Sequence, residues 1–134
     1  RVYVLLGDGE CNCGQIWEAV MSAGHYKLDN LCAIVDYNGL QIDGSTEEVM
    51  GLEPLVKKWQ DFRWQTIEIN GHNFKEILNA YQRARDNKKT PTVIIAHTIK
   101  GKGVSFMENK VGWHGNVPNR EEAEIALKEL EENG

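Results

Sequence analysis

Short apolar runs rich in β-branched residues alternate along the chain with longer amphipathic runs, and this alternation restricts the fold more than any other feature. The apolar runs predict four strands, at residues 1–6, 31–37, 64–69 and 91–98. The runs between them have helical spacing and predict helices at 14–28, 54–62 and 73–87, with one further turn near 46–50. Strands that are apolar along most of their length are typical of a parallel sheet covered on both faces. The sequence therefore predicts an α/β fold with three layers, α/β/α, around a mostly parallel sheet.

The last third of the chain is predicted to be a long loop followed by a helix. Residues 99–118 contain several glycines and no sustained apolar spacing, so we expect a loop that contributes to a ligand site. A helix is predicted at 119–132, where Asn119 and Glu122 have the spacing of a reciprocal N-terminal cap. We expect a single domain over residues 1–134. Because the chain opens inside a strand pattern and without Met, we interpret it as part of a larger protein.

Composition excludes several classes of function. A chain of 134 residues with 41% hydrophobic and 26% charged residues is suited to one folded domain and is not a disordered tail. The net charge of −5, without any basic stripe, argues against nucleic acid as a partner. The apolar runs are too short to span a membrane. Three cysteines are too few for a disulfide framework, so a reducing, cytoplasmic location is expected.

Polar segments that contain glycine follow the predicted strands. Ligands of parallel α/β sheets bind outside the carboxyl ends of the strands, so these segments should lie together at one ligand site. Gly7-Asp8-Gly9 ends the first strand where a helix is about to begin, and both the glycines and the helix N-terminus suit a phosphate group. As an isolated motif, however, it is more often a plain turn. The segments concerned are 7–13, 38–45 and 99–115.

Asn38, at the end of the second strand, strengthens the ligand interpretation. Successive strands of such a sheet are usually neighbours, so Asp8 and Asn38 are expected to face the same ligand. Mg²⁺ takes oxygen ligands, commonly one or two carboxylates together with substrate phosphates and water. One carboxylate, one amide oxygen and one backbone carbonyl would leave room for a diphosphate that carries most of the negative charge.

These residues also resemble a known family. Gly7-Asp8-Gly9, a spacer, and then Tyr37-Asn38 resemble the thiamine-diphosphate motif. Within that superfamily, the segments 38–44, 96–103 and 112–115 (NGLQIDG, AHTIKGKG and GWHG) resemble transketolases. The resemblance runs from Arg1 to about Leu130. It is strongest to transketolases that are split into separate subunits, and it implies the C-terminal half of their N-terminal, phosphate-binding subunit.

The resemblance implies a metal site and a diphosphate site. The side chains of Asp8 and Asn38 and the backbone carbonyl of Leu40 would ligate Mg²⁺, with Ca²⁺ as a candidate substitute. Gly7 and Gly9 would lie against the cofactor, with the Gly9 amide on its diphosphate, which Asn38 would also reach.

Three further residues are assigned by the same resemblance. Ile42 would pack against the rings of thiamine diphosphate. His114 would face the thiazolium and the sugar and is the predicted catalytic residue, whereas Lys100 would place a cation close to the cofactor.

The implied reaction is the transfer of a two-carbon ketol unit from a ketose phosphate to an aldose phosphate, as in the pentose phosphate pathway. The cofactor supplies the chemistry, and the protein supplies position and electrostatics. The family's glutamate that activates the aminopyrimidine lies on another domain. The resemblance therefore implies that the partner is a pyrimidine-binding transketolase subunit or domain, in a homodimer or a heterotetramer, and predicts that this chain alone is inactive.

The sequence departs from the family at Cys13, where transketolases of this kind have a glutamate thought to link two active sites. This departure keeps open a non-catalytic, remnant module that only binds thiamine diphosphate. A different Mg²⁺ module, such as a receiver-type domain, would need more acidic residues near the first strand end than Asp8 and Glu10.

Other residues keep two interpretations from sequence. Cys11, Cys13 and Cys32 lack the spacing of a metal site and are interpreted as structural thiols. His97 either supports the structure or lines the site. The apolar stripe of the first helix is either core or subunit interface; its residues are Ile16, Trp17, Val20 and Met21.

Overall fold

A four-stranded parallel sheet forms the centre of the molecule. The structure, a computed structural model, describes the backbone of residues 1–133 and the side chains of residues 1–132. Gly134, the last residue of the expected domain, lies outside the described residues. The strands of this sheet are β1 (Val2–Gly7), β2 (Leu31–Tyr37), β5 (Gln65–Asn70) and β6 (Thr92–His97). Each strand pairs in parallel with its neighbours in the order β1-β2-β6-β5.

Within residues 1–133, five α-helices connect or follow the strands, and the predicted elements are confirmed to within a few residues. They are α1 (Gly14–Tyr26), α2 (Thr46–Met50), α3 (Leu55–Asp61), α4 (Phe74–Asp86) and α5 (Arg120–Asn133). Three short elements were not predicted: a two-stranded hairpin and two 3₁₀ helices. The hairpin pairs β3 (Leu40–Gln41) with β4 (Gly44–Ser45), and the 3₁₀ helices are Gly9–Asn12 and Val111–His114. The predicted fold class, α/β with helices on both faces of a parallel sheet, is confirmed.

One face of the sheet is covered by α1 and α3 through a cluster of three indoles, which we call the tryptophan core (Trp17, Trp59 and Trp64). The ring of Trp59 is fully buried and lies 5.8 Å from Trp17 and 4.8 Å from Trp64. Trp64 donates from Nε1 to the carbonyl of Val20 at 2.8 Å. The stripe of α1 is therefore mainly core, although Met21 is exposed.

Within the part of the chain that the structure describes, the opposite face is covered by α4 alone, and its cover is incomplete. Ala80 and Ala84 of α4 pack with Ile67 and Ile94 of the sheet. Leu5 of the edge strand β1 remains 72% exposed. A cleft of about 440 Å³ runs along this face from Leu5 towards the carboxyl ends of the strands.

The segment after β6 is tied to α5 by polar contacts. Both the amide and the hydroxyl of Ser105 donate to the carboxylate of Glu129, each at 2.6 Å. Asn119 and Glu122 form the predicted reciprocal cap, with each backbone amide donating to the other side chain. In residues 1–133, no helix combines the length and apolar character needed to cross a membrane.

Candidate functional site

The site is built where β1 and β2 end side by side. The register pairs Gly7 with Asp36, so that Asp8 and Asn38 each follow a strand end at the same edge of the sheet. The amide of Asp8 donates to the carbonyl of Asp36 at 3.2 Å and extends the ladder by one residue. The parallel pairing of successive strands therefore brings together the two residues that the sequence singled out.

Asp8 is a buried carboxylate held by backbone amides. The residue is only 1% exposed to solvent. Oδ1 accepts from the amide of Gly9 at 2.8 Å, and Oδ2 accepts from the amide of Gly39 at 2.6 Å. Burial raises the pKa of Asp8, and these amide bonds offset that rise only in part. A cation beside this buried carboxylate would stabilise its charged form.

Gly39 is needed for its backbone conformation. Its φ is +75°, a value that residues with a Cβ rarely adopt. In this conformation the Gly39 amide reaches the carboxylate of Asp8 across the gap between the two strand ends. The glycine that follows Asn38 therefore belongs to the site and is more than a chain-reversal residue.

Asn38 is fixed at both ends of its amide. Oδ1 accepts from the amide of Leu40 at 3.0 Å, and Nδ2 donates to Oδ2 of Asp36 at 3.4 Å. Oδ1 of Asp36 in turn accepts from the hydroxyl of Thr98, which follows β6. The ends of β2 and β6 are thereby joined through polar side chains.

Gly9 allows the β3–β4 hairpin to approach the first 3₁₀ helix. A Cβ at Gly9 would lie 2.9 Å from the Cβ of Gln41, closer than side chains tolerate. Gln41 also donates from Nε2 to Oδ1 of Asn12 at 3.2 Å, and Asn12 donates to the carbonyl of Met50 at 3.2 Å. The hairpin is therefore held against the loop that carries Asp8.

Lys100 and His114 come to the same place from the segment after β6. The carbonyl of Lys100 accepts from the amide of Asn109 at 3.0 Å, which closes a compact turn. His114 is the last residue of the second 3₁₀ helix, and this helix lies against β3. The preceding residue, Trp113, donates from Nε1 to the carbonyl of Phe106 at 3.0 Å. Within residues 1–132, the Lys100 ammonium makes no ion pair with a carboxylate.

All of the predicted site residues line one cavity of about 450 Å³, which we call the site cavity. Ile42, the residue expected against the cofactor's rings, is 71% exposed at its wall. Sequence reasoning missed three of the lining residues as site residues: Glu10, Asp36 and Gln41. The full lining is Gly7, Asp8, Gly9, Glu10, Asp36, Asn38, Leu40, Gln41, Ile42, Lys100 and His114.

The missed residues carried only weak signals. Asp36 is an acidic residue near the end of an otherwise apolar strand, and Asp43-Gly44 is a common hairpin turn that would have predicted the β3–β4 pair. Glu10 accepts from the amide of Gly7 at 2.7 Å and so closes the loop over one turn.

His97 and the cysteines do not line the site cavity. His97 lies 3.1 Å from Glu68 through Nε2 and packs edge-on against Tyr37, which favours structural support. All three thiols are free; burial raises the pKa of Cys11 to about 12 and that of Cys32 to about 11, whereas Cys13 is exposed. Among the described residues, no three His, Cys, Asp or Glu side chains cluster as a metal site.

Comparison with known proteins identifies the family of the chain. The family model of the transketolase thiamine diphosphate binding domain matches residues 1–131. The chain belongs to this transketolase family. It is 47% identical to one of the apulose-4-phosphate transketolase subunits of Phocaeicola vulgatus over 98% of the chain and 47% of that protein. It is also 47% identical to the 6-deoxy-6-sulfo-D-fructose transketolase subunit SqwG of a Clostridium species, over 99% of the chain and 48% of that protein.

Solved transketolase structures share the fold. The transketolase of Campylobacter jejuni superposes with a TM-score of 0.91 at 31% identity, covering 98% of this chain and 20% of that one. The chain thus spans about half the length of the transketolase subunits that it resembles and about a fifth of this larger transketolase.

Proposed function

We propose that this transketolase domain binds the diphosphate of thiamine diphosphate through Mg²⁺ in the site cavity. The observation that carries the proposal is the buried carboxylate of Asp8 beside Asn38, at the edge of a cavity that Lys100 also lines. A buried carboxylate without a cation destabilises the fold. An anionic cofactor, in turn, needs a positive charge beside it in the cavity. Mg²⁺ between Asp8 and the diphosphate meets both requirements.

The donor set fits Mg²⁺. Asp8 supplies one carboxylate and Asn38 one amide oxygen, and Leu40 lies two residues further on, where its carbonyl is the proposed third ligand. All three donors are oxygens, which Mg²⁺ prefers, and the remaining positions are left to phosphate oxygens and water. Because Asp8 is the one charged residue in this ligand set, the bound Mg²⁺ would keep a net positive charge toward the diphosphate. Ca²⁺, which also prefers oxygen, is proposed as a substitute.

The other lining residues have complementary roles. The amide of Gly9 donates to Asp8 in the structure and is proposed to contact the diphosphate when the cofactor is bound, and Gly7 leaves the wall of the cavity open. Lys100 adds a cation that pairs with no carboxylate of residues 1–132, and Ile42 offers apolar surface to the cofactor's rings. His114 is proposed to reach the thiazolium and the sugar and to hold a proton or hydrogen bond there.

The bound cofactor supplies the nucleophilic carbon for transfer of a two-carbon ketol unit from a ketose phosphate to an aldose phosphate. Two similar proteins are named as separate transketolase subunits, which supports a pyrimidine-binding subunit or domain as partner here. We propose a dimeric or heterotetrameric assembly in the cytoplasm. A diphosphate site alone leaves the reacting ring unoriented, and orientation contributes roughly 7–11 kcal/mol to such barriers, so this chain alone is proposed to be inactive.

Two measurements on one preparation test the proposal. Thiamine diphosphate is titrated into the full protein, assembled with its partner, in Mg²⁺ and again in excess chelator, and ketol transfer is then assayed. We expect saturable binding that requires the metal, and transfer by the assembly but not by the chain alone. Equal binding in chelator would contradict the metal site. Metal-dependent binding without transfer in any assembly would favour a non-catalytic binding module, and the exposed Cys13 in place of the family's glutamate is the feature that favours that alternative.

A further inference from the structure

Asp36 lies at the junction of the site cavity and the open cleft, and no motif of the sequence marks it. It is the sixth residue of β2, and its carboxylate is in contact with two side chains. Oδ2 accepts from Nδ2 of Asn38 at 3.4 Å, and Oδ1 accepts from the hydroxyl of Thr98. One carboxylate therefore connects a proposed metal ligand to a neighbouring strand.

These contacts allow only one orientation of the Asn38 amide. The backbone amide of Leu40 is a donor and requires the Asn38 oxygen, whereas the carboxylate of Asp36 is an acceptor and requires the nitrogen. A flipped amide would oppose donor to donor at Leu40 and acceptor to acceptor at Asp36. Oδ1 has two lone pairs, so it can accept from Leu40 and still ligate a cation.

The carboxylate of Asp36 is itself held in place. Thr98 follows β6, and its amide donates to the carbonyl of Tyr37 at 3.1 Å, which keeps its hydroxyl beside β2. Gly71, after β5, leaves the space that the Thr98 methyl occupies, because a Cβ at Gly71 would lie 2.4 Å from that methyl. Three strand ends thus position a single acceptor.

We infer that Asp36 is a positioning residue that orients Asn38 so that Oδ1 faces the divalent cation. The inference rests on the proposed function, since it concerns the metal site proposed above. Residues that orient metal ligands typically change metal affinity by about 10- to 100-fold when removed. Asp36 acts here through hydrogen-bond acceptance. An asparagine at this position can also accept from Nδ2 of Asn38 while its own amide donates to Thr98, so it should preserve the orientation.

The test measures metal affinity without measuring turnover. Mn²⁺ is titrated into the full protein assembled with its partner, in saturating thiamine diphosphate, and free Mn²⁺ is read by EPR. We expect D36A to weaken Mn²⁺ binding by about 10- to 100-fold and D36N by much less. D43A, which removes an exposed carboxylate from the nearby hairpin, should match the unsubstituted protein. If D36A does not fold, T98V, which removes the hydroxyl but keeps the shape, should weaken binding relative to T98S.

Each outcome has one meaning. Unchanged Mn²⁺ affinity in folded D36A, or equal affinities in T98V and T98S where D36A does not fold, would overturn the positioning role and leave the proposed function intact. Equal losses in D36A and D36N would also overturn it, because charge and not orientation would then be what Asp36 supplies. Absence of Mn²⁺ binding in the unsubstituted protein would overturn the proposed function, and the positioning role with it.

Discussion

Trp59 in the tryptophan core and Asp8 in the site cavity are buried to nearly the same extent, at 0% and 1% exposure, with opposite consequences. Burial of the indole removes apolar surface from water and stabilises the fold. Burial of the carboxylate separates a charge from water, and the rise in its pKa reflects that cost. One face of the sheet thus supports the fold, whereas the carboxyl ends of its strands are arranged for a ligand.

The two regions are nevertheless connected. Trp17 of the tryptophan core donates from Nε1 to the carbonyl of Cys11 at 2.7 Å, and Cys11 lies in the 3₁₀ helix that Asp8 caps. The tryptophan core therefore fixes the position of the loop that contains Asp8. Substitutions in each region should separate stability from binding.

The largest effect is expected in the tryptophan core. Trp59→Ala should lower the free energy of unfolding by about 3–5 kcal/mol, because it leaves a cavity among fully buried neighbours. Denaturant unfolding followed by circular dichroism measures this change. Trp113→Ala, in the segment after β6, is the control and should cost clearly less. Equal losses of unfolding free energy in the two variants would contradict the distinction between the tryptophan core and the site.

A smaller effect, confined to the site, is expected at Gly9. Gly9→Ala brings a Cβ to 2.9 Å from the Cβ of Gln41, so the β3–β4 hairpin must move away. We expect affinity for thiamine diphosphate in Mg²⁺ to fall about tenfold, equivalent to about 1.4 kcal/mol. Gly14→Ala, where a Cβ meets no atom within 4 Å, is the matched control and should bind normally. Unchanged affinity in Gly9→Ala would show that hairpin contact is irrelevant to the cofactor.

The pH dependence of the metal-free protein should reveal the cost of burying Asp8. Because the folded state raises the pKa of Asp8 above its ordinary value of 3.8, the folded state holds the proton more tightly than the unfolded state. Stability contributed by protonated Asp8 is present below pH 3.8 and is lost as pH rises through the folded-state pKa, by at most about 1.4 kcal/mol per pH unit. Asp8→Asn has no titrating carboxylate at this position, so its stability should not fall in this way as pH rises. Parallel stability curves for the two proteins would contradict the account.

The smallest effect is expected at Cys13. Cys13→Glu introduces the glutamate that the resemblance to transketolases implies, but Cys13 is exposed and does not line the site cavity. Thiamine diphosphate affinity should therefore change less than about twofold, a range typical of surface substitutions, while coupling between the active sites of the proposed assembly changes. Calorimetric titration of the assembled protein measures the affinity and the coupling separately. A large loss of affinity would place Cys13 against the cofactor.

The strands and helices could be predicted because their apolar spacing is long and regular. The adjacency of Asp8 and Asn38 followed from parallel pairing of successive strands. The insertion of β6 between β2 and β5 could not be predicted, because strand order depends on which faces α3 and α4 cover. That order brings Thr98 to Asp36, so the positioning contact was invisible in the sequence. The 3₁₀ helix at Gly9–Asn12 is too short for periodicity to reveal.

The proposed role of Asp8 is to hold a divalent cation, although burial of its carboxylate destabilises the metal-free protein. The most direct measurement compares the melting temperatures of the unsubstituted protein and Asp8→Asn with thiamine diphosphate, with and without Mg²⁺. We predict that Mg²⁺ raises the melting temperature of the unsubstituted protein and leaves that of Asp8→Asn unchanged, because the asparagine supplies no charge to hold the metal. Equal stabilisation of both proteins by Mg²⁺ would contradict the claim.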